Sequence, residues 1–548
     1  MRSVPRHAVL RTLAFCVLLI AAGCASLPPG ADLPKPSSHA LDPSVDTRLR
    51  RTFEPLAKAH SGTSGFRMLS AGIDGLTARV EMIDSAERTL DVQSYIFRCD
   101  ESGNLIALAL LRAVDRGVRV RILVDDGETL PGDEEILSLA ARPGIEVRIF
   151  NPLPYRGHHR AIRFAEILLH KQLDYRMHNK LMVADNAVAI IGGRNIGDQY
   201  FQIDPQSQFG DDDNVVAGPM VQKLSDVFDE FWSSRLAVPA QNVDKQDTSD
   251  SALQTYLAAL AKYRESLDAK RRPPPAHGDA AMNVIHRDEP IVVAKTPFAD
   301  IVSDRAPLFW AHAQLAYDSP DKRAVENGAA SGSLIYTPVA AQVKAVTTEL
   351  LMVTPYFIPS PDELAILEED RRRNAAVRIL TNSLESAPDL VAHAGYVHYR
   401  VELLREGVEL HEVRALLGST RGSGQSKAIS RHGNFALHGK LFVFDRKTVF
   451  IGSMNFDQRS KRLNTEIGLL IDSPELSREV AARFDALTQL DNAYLLSLGD
   501  KSDDRHPKLV WTTREAGRVV EFQTEPARNA WQRAKVKLLS VLPLDEEL

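Results

Sequence analysis

The chain has 548 residues, room for roughly three to four domains of usual size. Hydrophobic residues make 44% and charged residues 25%, a globular balance that excludes a disordered or fibrous chain. The net charge of -6 argues against a broad nucleic-acid surface, while leaving room for a local basic cleft.

The N-terminus reads as a processing segment. Arg2, Arg6 and Arg11 precede the apolar run Leu13 to Ala22, which is short for a bilayer span, and no other stretch is longer. Gly23 and Cys24 follow. The pattern resembles a bacterial lipoprotein signal, although Ala21 stands where leucine is usual. The resemblance implies a signal peptide at 1–23, lipid on Cys24 and a periplasm-facing protein; a plain secretory signal is the alternative. Ala25 in place of Asp implies, under enterobacterial sorting, delivery to the outer membrane, with the inner membrane as the other option. Cys16 would leave with the signal and Cys99 would have no partner, so no disulfide framework is expected. Residues 24–46 hold Leu27-Pro28-Pro29-Gly30 and Pro34-Lys35-Pro36-Ser37-Ser38, and read as a tether.

The globular part begins near residue 47. A helix is expected over 72–87, then a strand from Leu90 to Phe97 carrying Asp91, Gln93 and Tyr95 at a period of two. Asn104 to Val114 reads as a helix, and Val118 to Val124 and Ile145 to Phe150 as buried strands. Lys180 to Val183 and Val188 to Ile191 form two strands joined at Asp185 and Asn186. Pro219 to Ser233 is a helix with proline in its first turn. A polar stretch at 243–285 reads as part helix, part loop. Phe298 to Tyr317 reads as a buried helix, with lipid contact through Phe309 and Trp310 as the alternative.

The second half replays the first. Leu350 to Thr354 precedes Pro355-Tyr356-Phe357 as Leu90 to Gln93 precedes Tyr95-Ile96-Phe97, and Val377 to Leu380 answers Val118 to Val124. Gly418 to Ser430 reads as a mobile lip or a solvated loop. Lys508 onward reads as a strand pair and then a helix from about Glu525 to Leu539. An internal repeat of this kind implies two related α/β units, their sheets covered by helices, packed about a pseudo-two-fold axis. The boundaries drawn are 47–245 for the first unit, 246–334 between the units, 335–500 for the second, and 501–548 for an extension.

The chemistry sits in the repeat. His178, Lys180 and Asp185 form a His-x-Lys-x4-Asp array followed by Gly192, Gly193 and Asn195; His438, Lys440 and Asp445 repeat it before Gly452, Ser453 and Asn455. Residues two apart on a strand leave the same face, so each array presents an imidazole and an ammonium side by side. Two such arrays suit phosphodiester exchange. One histidine attacks phosphorus, the other moves the proton, and Lys180, Lys440, Asn195 and Asn455 offset charge on the phosphoryl oxygens. No Cys/His ligand cluster and no His-Glu-x-x-His motif appears, so no metal or other cofactor is expected. Each histidine needs a partner on its second ring nitrogen. Glu466 is the candidate in the second unit, and Asp213 in the first, with Asp211 as its rival. Asp185 and Asp445 are counted with the catalytic candidates, although their place at turns suits backbone bonding. Tyr95, Tyr356, His393 and Arg400 are candidate cleft-lining residues.

His-x-Lys-x4-Asp followed by Gly-Gly-x-Asn or Gly-Ser-x-Asn resembles the phospholipase D superfamily, and two copies resemble its bilobal branch. Gly192 to Phe201, Asn455 to Ser460, Asn464-Thr465-Glu466 and the ending with Glu525-Pro526, Trp531 and Leu542-Pro543-Leu544 are similar to bacterial cardiolipin synthases of the C type. Gly439 and Met454 depart from that pattern. The resemblance implies two phospholipase-D-like α/β sandwich lobes, with His178 as nucleophile and His438 as acid/base. It implies membrane phospholipids as partners, with phosphatidylglycerol as acceptor and phosphatidylethanolamine or phosphatidylglycerol as donor. A hydrolase releasing phosphatidic acid is the alternative, ahead of a non-catalytic lipid-binding protein or a nuclease. Whether an accessory protein is needed stays open.

Overall fold

In a computed structural model, which describes residues 30–128, 133–155, 162, 171–270, 297–417, 434–499 and 508–541, a helix over Arg48–Ala59 leads into the first lobe's sheet, which opens with strand β1 (Ser64–Leu69), followed by helix α1 (Gly72–Ser85). Strand β2 (Thr89–Ser94), helix α2 (Glu101–Asp115), β3 (Arg119–Asp125) and β4 (Ile145–Phe150) follow. Pairs β2–β3 and β3–β4 are parallel, as expected when a helix crosses back over the sheet. The array then folds as an antiparallel hairpin of β5 (Leu181–Ala184) and β6 (Val188–Gly192), followed by β7 (Ser207–Gly210), β8 (Asp213–Ala217), helix α3 (Met220–Ser233) and β9 (Ala237–Pro239). The sheet order is β9-β4-β3-β2-β5-β6-β8-β1.

The segment expected as a helix over 298–317 is instead a short helix, Pro297–Val302, and a nine-residue strand, β10 (Phe309–Tyr317). β10 pairs antiparallel with β1 through residues 309–311 and with β17 (Ile467–Asp472) through residues 312–317. Those two partners take up ladder hydrogen bonds that a helix would have made internally. The second lobe runs β11 (Glu349–Val353), β12 (Ala376–Asn382), β13 (Glu409–Val413), β14 (Asn434–Leu437), β15 (Leu441–Phe444), β16 (Thr448–Gly452), β17 and β18 (Ala493–Leu498). Its order, β18-β13-β12-β11-β15-β16-β17-β10, repeats that of the first lobe. β10 is therefore the second lobe's counterpart of β1, and lies inside the stretch drawn above as lying between units. The β1–β10 pairing joins both sheets where the pseudo-two-fold relation requires two equivalent strands to meet.

One apolar core takes residues from both lobes, among them Leu181, Val183 and Ile191 from the first and Leu441, Val443 and Ile451 from the second. Each such buried side chain contributes about 1.5–3 kcal/mol. Beyond β18, strands β19 (Leu509–Glu515) and β20 (Arg518–Phe522) extend the sheet, and a last helix covers Ala530–Leu539.

The expected tether is packed where it is described. Ser38 O accepts from Arg121 at 2.9 Å, Ala40 N donates to Asp229 at 2.8 Å, and Leu41 O accepts from Asn186 at 2.8 Å. The Arg121 guanidinium and the Asn186 side-chain amide find acceptors in the segment, and Asp229 finds a donor there, which holds it down. Cys16, Cys24, the signal and the loop 418–430 lie outside the described residues.

Candidate active site

Both histidines follow short strand-like segments that pair across the lobes. His178 N donates to Thr465 O at 2.9 Å, directly beside Glu466. β14 lies parallel to β7, so His438 N donates to Gly210 O at 2.8 Å, directly beside Asp211. Each pairing sets one lobe's imidazole against the other lobe's acid. His178 Nδ1 is 2.9 Å from Glu466 Oε2, and His438 Nδ1 is 2.5 Å from Asp211 Oδ2.

Asp213, the first choice above, does not meet a histidine. Its carboxylate accepts from Arg79 at 2.7 Å and from Arg194 at 3.1 Å, all three side chains being buried. Strand register explains the difference. Gly192 faces Asp213 as Gly452 faces Gly468, so Asp211 is the counterpart of Glu466. The array's small residues serve these acids. A Cβ at Gly193 would sit 2.1 Å from Asp211 Oδ1, so only glycine leaves the carboxylate its place. In the second lobe Ser453 Oγ donates to Glu466 Oε2 at 2.5 Å, and Ser460 Oγ donates to Oε1 at 2.8 Å.

Lys180 and Lys440 are buried beside the rings. Lys440 Nζ lies 2.9 Å from His438 Nδ1, and Lys180 Nζ donates to His178 O at 2.6 Å. Burial, then Lys180 and Lys440, push the His178 pKa well below its usual value. Burial and Lys440 bring His438 down to about 3, against the pull of Asp211. Each lobe's lysine thus acts on the other lobe's histidine. Both shifts favour the neutral ring, and with Nδ1 facing a carboxylate, Nε2 is left as the reactive nitrogen. Burial lowers Lys440 to about 8 and Lys180 well below its ordinary value. Burial alone would raise Asp211, but His438, Lys440 and Arg194 outweigh it and hold the carboxyl well below the usual range. Glu466 is instead raised by burial to about 7.

Asn195 Oδ1 accepts from Ile96 N at 3.2 Å, and its buried amide nitrogen meets no acceptor. Asn455 Oδ1 is likewise buried without a donor. The free N–H donor of Asn195 suits an oxygen of an anion, whereas Asn455 would have to turn its amide over to offer one. Among the described residues no cluster of three or more His, Cys, Asp or Glu side chains is arranged to hold a metal ion.

Residues 80–232 and 339–488 match the family model for the cardiolipin synthase, phospholipase-D-like domain. The chain belongs to this phospholipase-D-like family. Cardiolipin synthase C of Escherichia coli K12 is 36% identical to it over 501 residues, covering 91% of this chain and 99% of that protein. A cardiolipin synthase of Alkalihalophilus pseudofirmus is 25% identical over 74% of this chain and 62% of its own length. The crystal structure of a phosphatidylserine synthase from Haemophilus influenzae shares the fold, with a TM-score of 0.51 at 13% identity over 82% of this chain and 92% of that one. The chain is a phospholipase-D-type enzyme.

Within this phospholipase-D-like frame the remaining candidates separate. Asp185 accepts from the backbone N–H groups of Glu87, Arg88 and Thr89 at 2.8–2.9 Å, and Asp445 from those of Thr347, Thr348 and Glu349. They pin the entries to β2 and β11 and meet neither histidine, which corrects their place among the catalytic candidates. Asp185 and Asp445 take left-handed φ of 52° and 51°, a conformation that Asp tolerates. Tyr95 does line the site, its ring edge-on to His178 at 5.0 Å and beneath Lys180 at 5.3 Å. Tyr356 shares a small pocket with Asp389 and His393. His393 and Arg400 serve elsewhere: both reach Glu525, at 2.8 and 2.6 Å, and Arg400 also reaches Glu412 at 2.8 Å. That buried cluster fastens the C-terminal extension to the second lobe, because each charge needs a partner there. Sequence reasoning missed Tyr200 and Phe209, whose rings lie 5.1 and 5.2 Å from His438. No local spacing marks them; their place depends on the β7–β14 pairing.

Proposed function

We propose that this enzyme moves a phosphatidyl group onto phosphatidylglycerol to make cardiolipin, with phosphatidylethanolamine or a second phosphatidylglycerol as donor. The observation that carries the reading is the pair of cross-lobe histidine–carboxylate couples, flanked by two buried lysines. The names of its relatives support the substrate class.

His178 Nε2 attacks phosphorus; a P–N bond forms as the donor's P–O bond breaks. His438 gives a proton to the departing alkoxide, then takes one from the acceptor hydroxyl as its oxygen displaces the histidine. Asp211, ionised behind His438, suits that ring to carry the positive charge. The bound diester anion offsets Lys180 and Lys440 and so favours protonation of His438. The lysines and asparagines stabilise charge on the phosphoryl oxygens. Lipid on Cys24 would hold the enzyme at its substrate; no helix among the described residues is long and apolar enough to cross a membrane.

The test incubates the full chain with vesicles of labelled phosphatidylglycerol and phosphatidylethanolamine, with and without glycerol and chelator. Cardiolipin is expected in both chelator arms, and none from His178→Ala or His438→Ala. Phosphatidic acid as the sole product would reject the synthase reading in favour of hydrolysis.

A further inference from the structure

Lys322 is 1% exposed and bridges Asp318 to the loop that carries Glu466. Its ammonium donates to Ser460 O at 2.7 Å, to Asn464 O at 2.8 Å and to Asp318 Oδ2 at 2.9 Å. Asp318 is fully buried; the same Oδ2 accepts from Glu466 N at 3.0 Å, and its Oδ1 accepts from Ile335 N at 3.0 Å. Asp318 N also donates to Glu466 O at 3.0 Å. The pair therefore grips the backbone of Glu466 on both sides, together with the turn that aims Ser460 Oγ at its carboxylate.

Both residues lie between the two stretches that match the family model, 80–232 and 339–488. The first lobe solves the same problem from within its own array. There Arg194 donates to Asp211 O and Ser70 O, and its charge meets Asp213. Met454 stands at the place of Arg194 in the second array and has no charge to offer. The cation behind Glu466 has to come from outside the second array, and strand β10 delivers it by ending at Tyr317, just before Asp318.

We propose that Asp318 and Lys322 are positioning residues for the reaction, acting through Glu466 on His178. The inference rests on the role given to the Glu466–His178 couple above, not on the identity of the lipid. A buried ion pair holds its partners in one geometry only while both members are present. Groups that orient a reactive residue typically change activity by about 10–100-fold when altered.

The experiment is a double-mutant cycle on the full chain, read with bis(4-nitrophenyl) phosphate and, separately, with lipid vesicles. Asp318→Asn should lower kcat about 10-fold with KM within about twofold. In a Glu466→Gln background the same change should cost less than about twofold, because the residue it acts through is already impaired. Equal losses in both backgrounds, or no loss, would overturn the proposal. Lys322→Gln repeats the cycle from the other partner if Asp318→Asn shows no cooperative melting. Failure of both variants to fold would make the pair purely structural and also overturn it. Turnover of the chromogenic diester without lipid transfer would sink the substrate reading and leave this inference standing.

Discussion

Glu466 Oε2 lies 2.9 Å from His178 Nδ1, although the two residues belong to different lobes. Neither lobe alone has a complete site. The exchange is reciprocal, since Asp211 of the first lobe serves His438 of the second. Separating the lobes would remove the acid from each imidazole and expose the shared apolar core.

The exchange separates two neighbouring acids. Asp211→Asn should cut kcat of the folded enzyme by at least about 100-fold, since the ring loses its orienting anion. Asp213→Asn should behave in the opposite way. It strands Arg79 and Arg194, at a cost of about 3–5 kcal/mol in denaturant unfolding, with kcat of the folded fraction close to normal.

Lys440 links activity and stability with opposite signs. Burial brings its folded pKa down to about 8, below the ordinary lysine value of 10.5. Above pH 8 the ammonium that offsets phosphoryl charge is lost, so kcat/KM should fall as pH rises through that value. Between about pH 8 and the ordinary lysine pKa the unfolded chain binds the extra proton, so this group adds stability as pH rises. Melting curves of the wild type and Lys440→Met across pH 7–10 should converge or cross accordingly. A wild-type kcat/KM that is flat across pH 8 would contradict the assignment.

The aspartates that close each array should matter for folding alone. Asp185→Ala leaves three N–H groups without their acceptor, that of Thr89 buried, and should cost roughly 1–3 kcal/mol, with kcat of the folded enzyme unchanged. Asp445 is held well below the usual carboxylate range; burial opposes the shift, and bonds from Glu349, Thr347 and Thr348 outweigh it. A depressed carboxylate contributes stability that is present above its unfolded pKa and lost as pH falls through the folded one. The gap in melting temperature between wild type and Asp445→Asn should therefore shrink as pH drops below about 4.

Removing residues 30–46 tests whether the segment is a linker. The hydrogen bonds from Arg121, Asn186 and Trp232 to this segment are each worth about 1 kcal/mol, so the truncated chain should melt roughly 5–10 °C lower. An unchanged melting temperature would return the segment to the status of a tether.

Local sequence carried much of this architecture. Period-two alternation and helix-length apolar runs marked the strands and helices of both units, and the repeated His-x-Lys spacing marked both hairpins, because those features depend only on side-chain direction along one element. The small residue behind each histidine was visible too, as Gly193 and Ser453. Three matters depended on contacts between distant elements. Asp211 rather than Asp213 faces His438 because β7 pairs with β14. Residues 309–317 form a strand because β1 pairs with its first part and β17 with the rest. Lys322 reaches the Glu466 loop because β10 ends beside it. Spacing along a chain sets the face a side chain leaves from; which acid waits opposite is settled when two sheets close around a shared axis, a relation that no single stretch of residues contains.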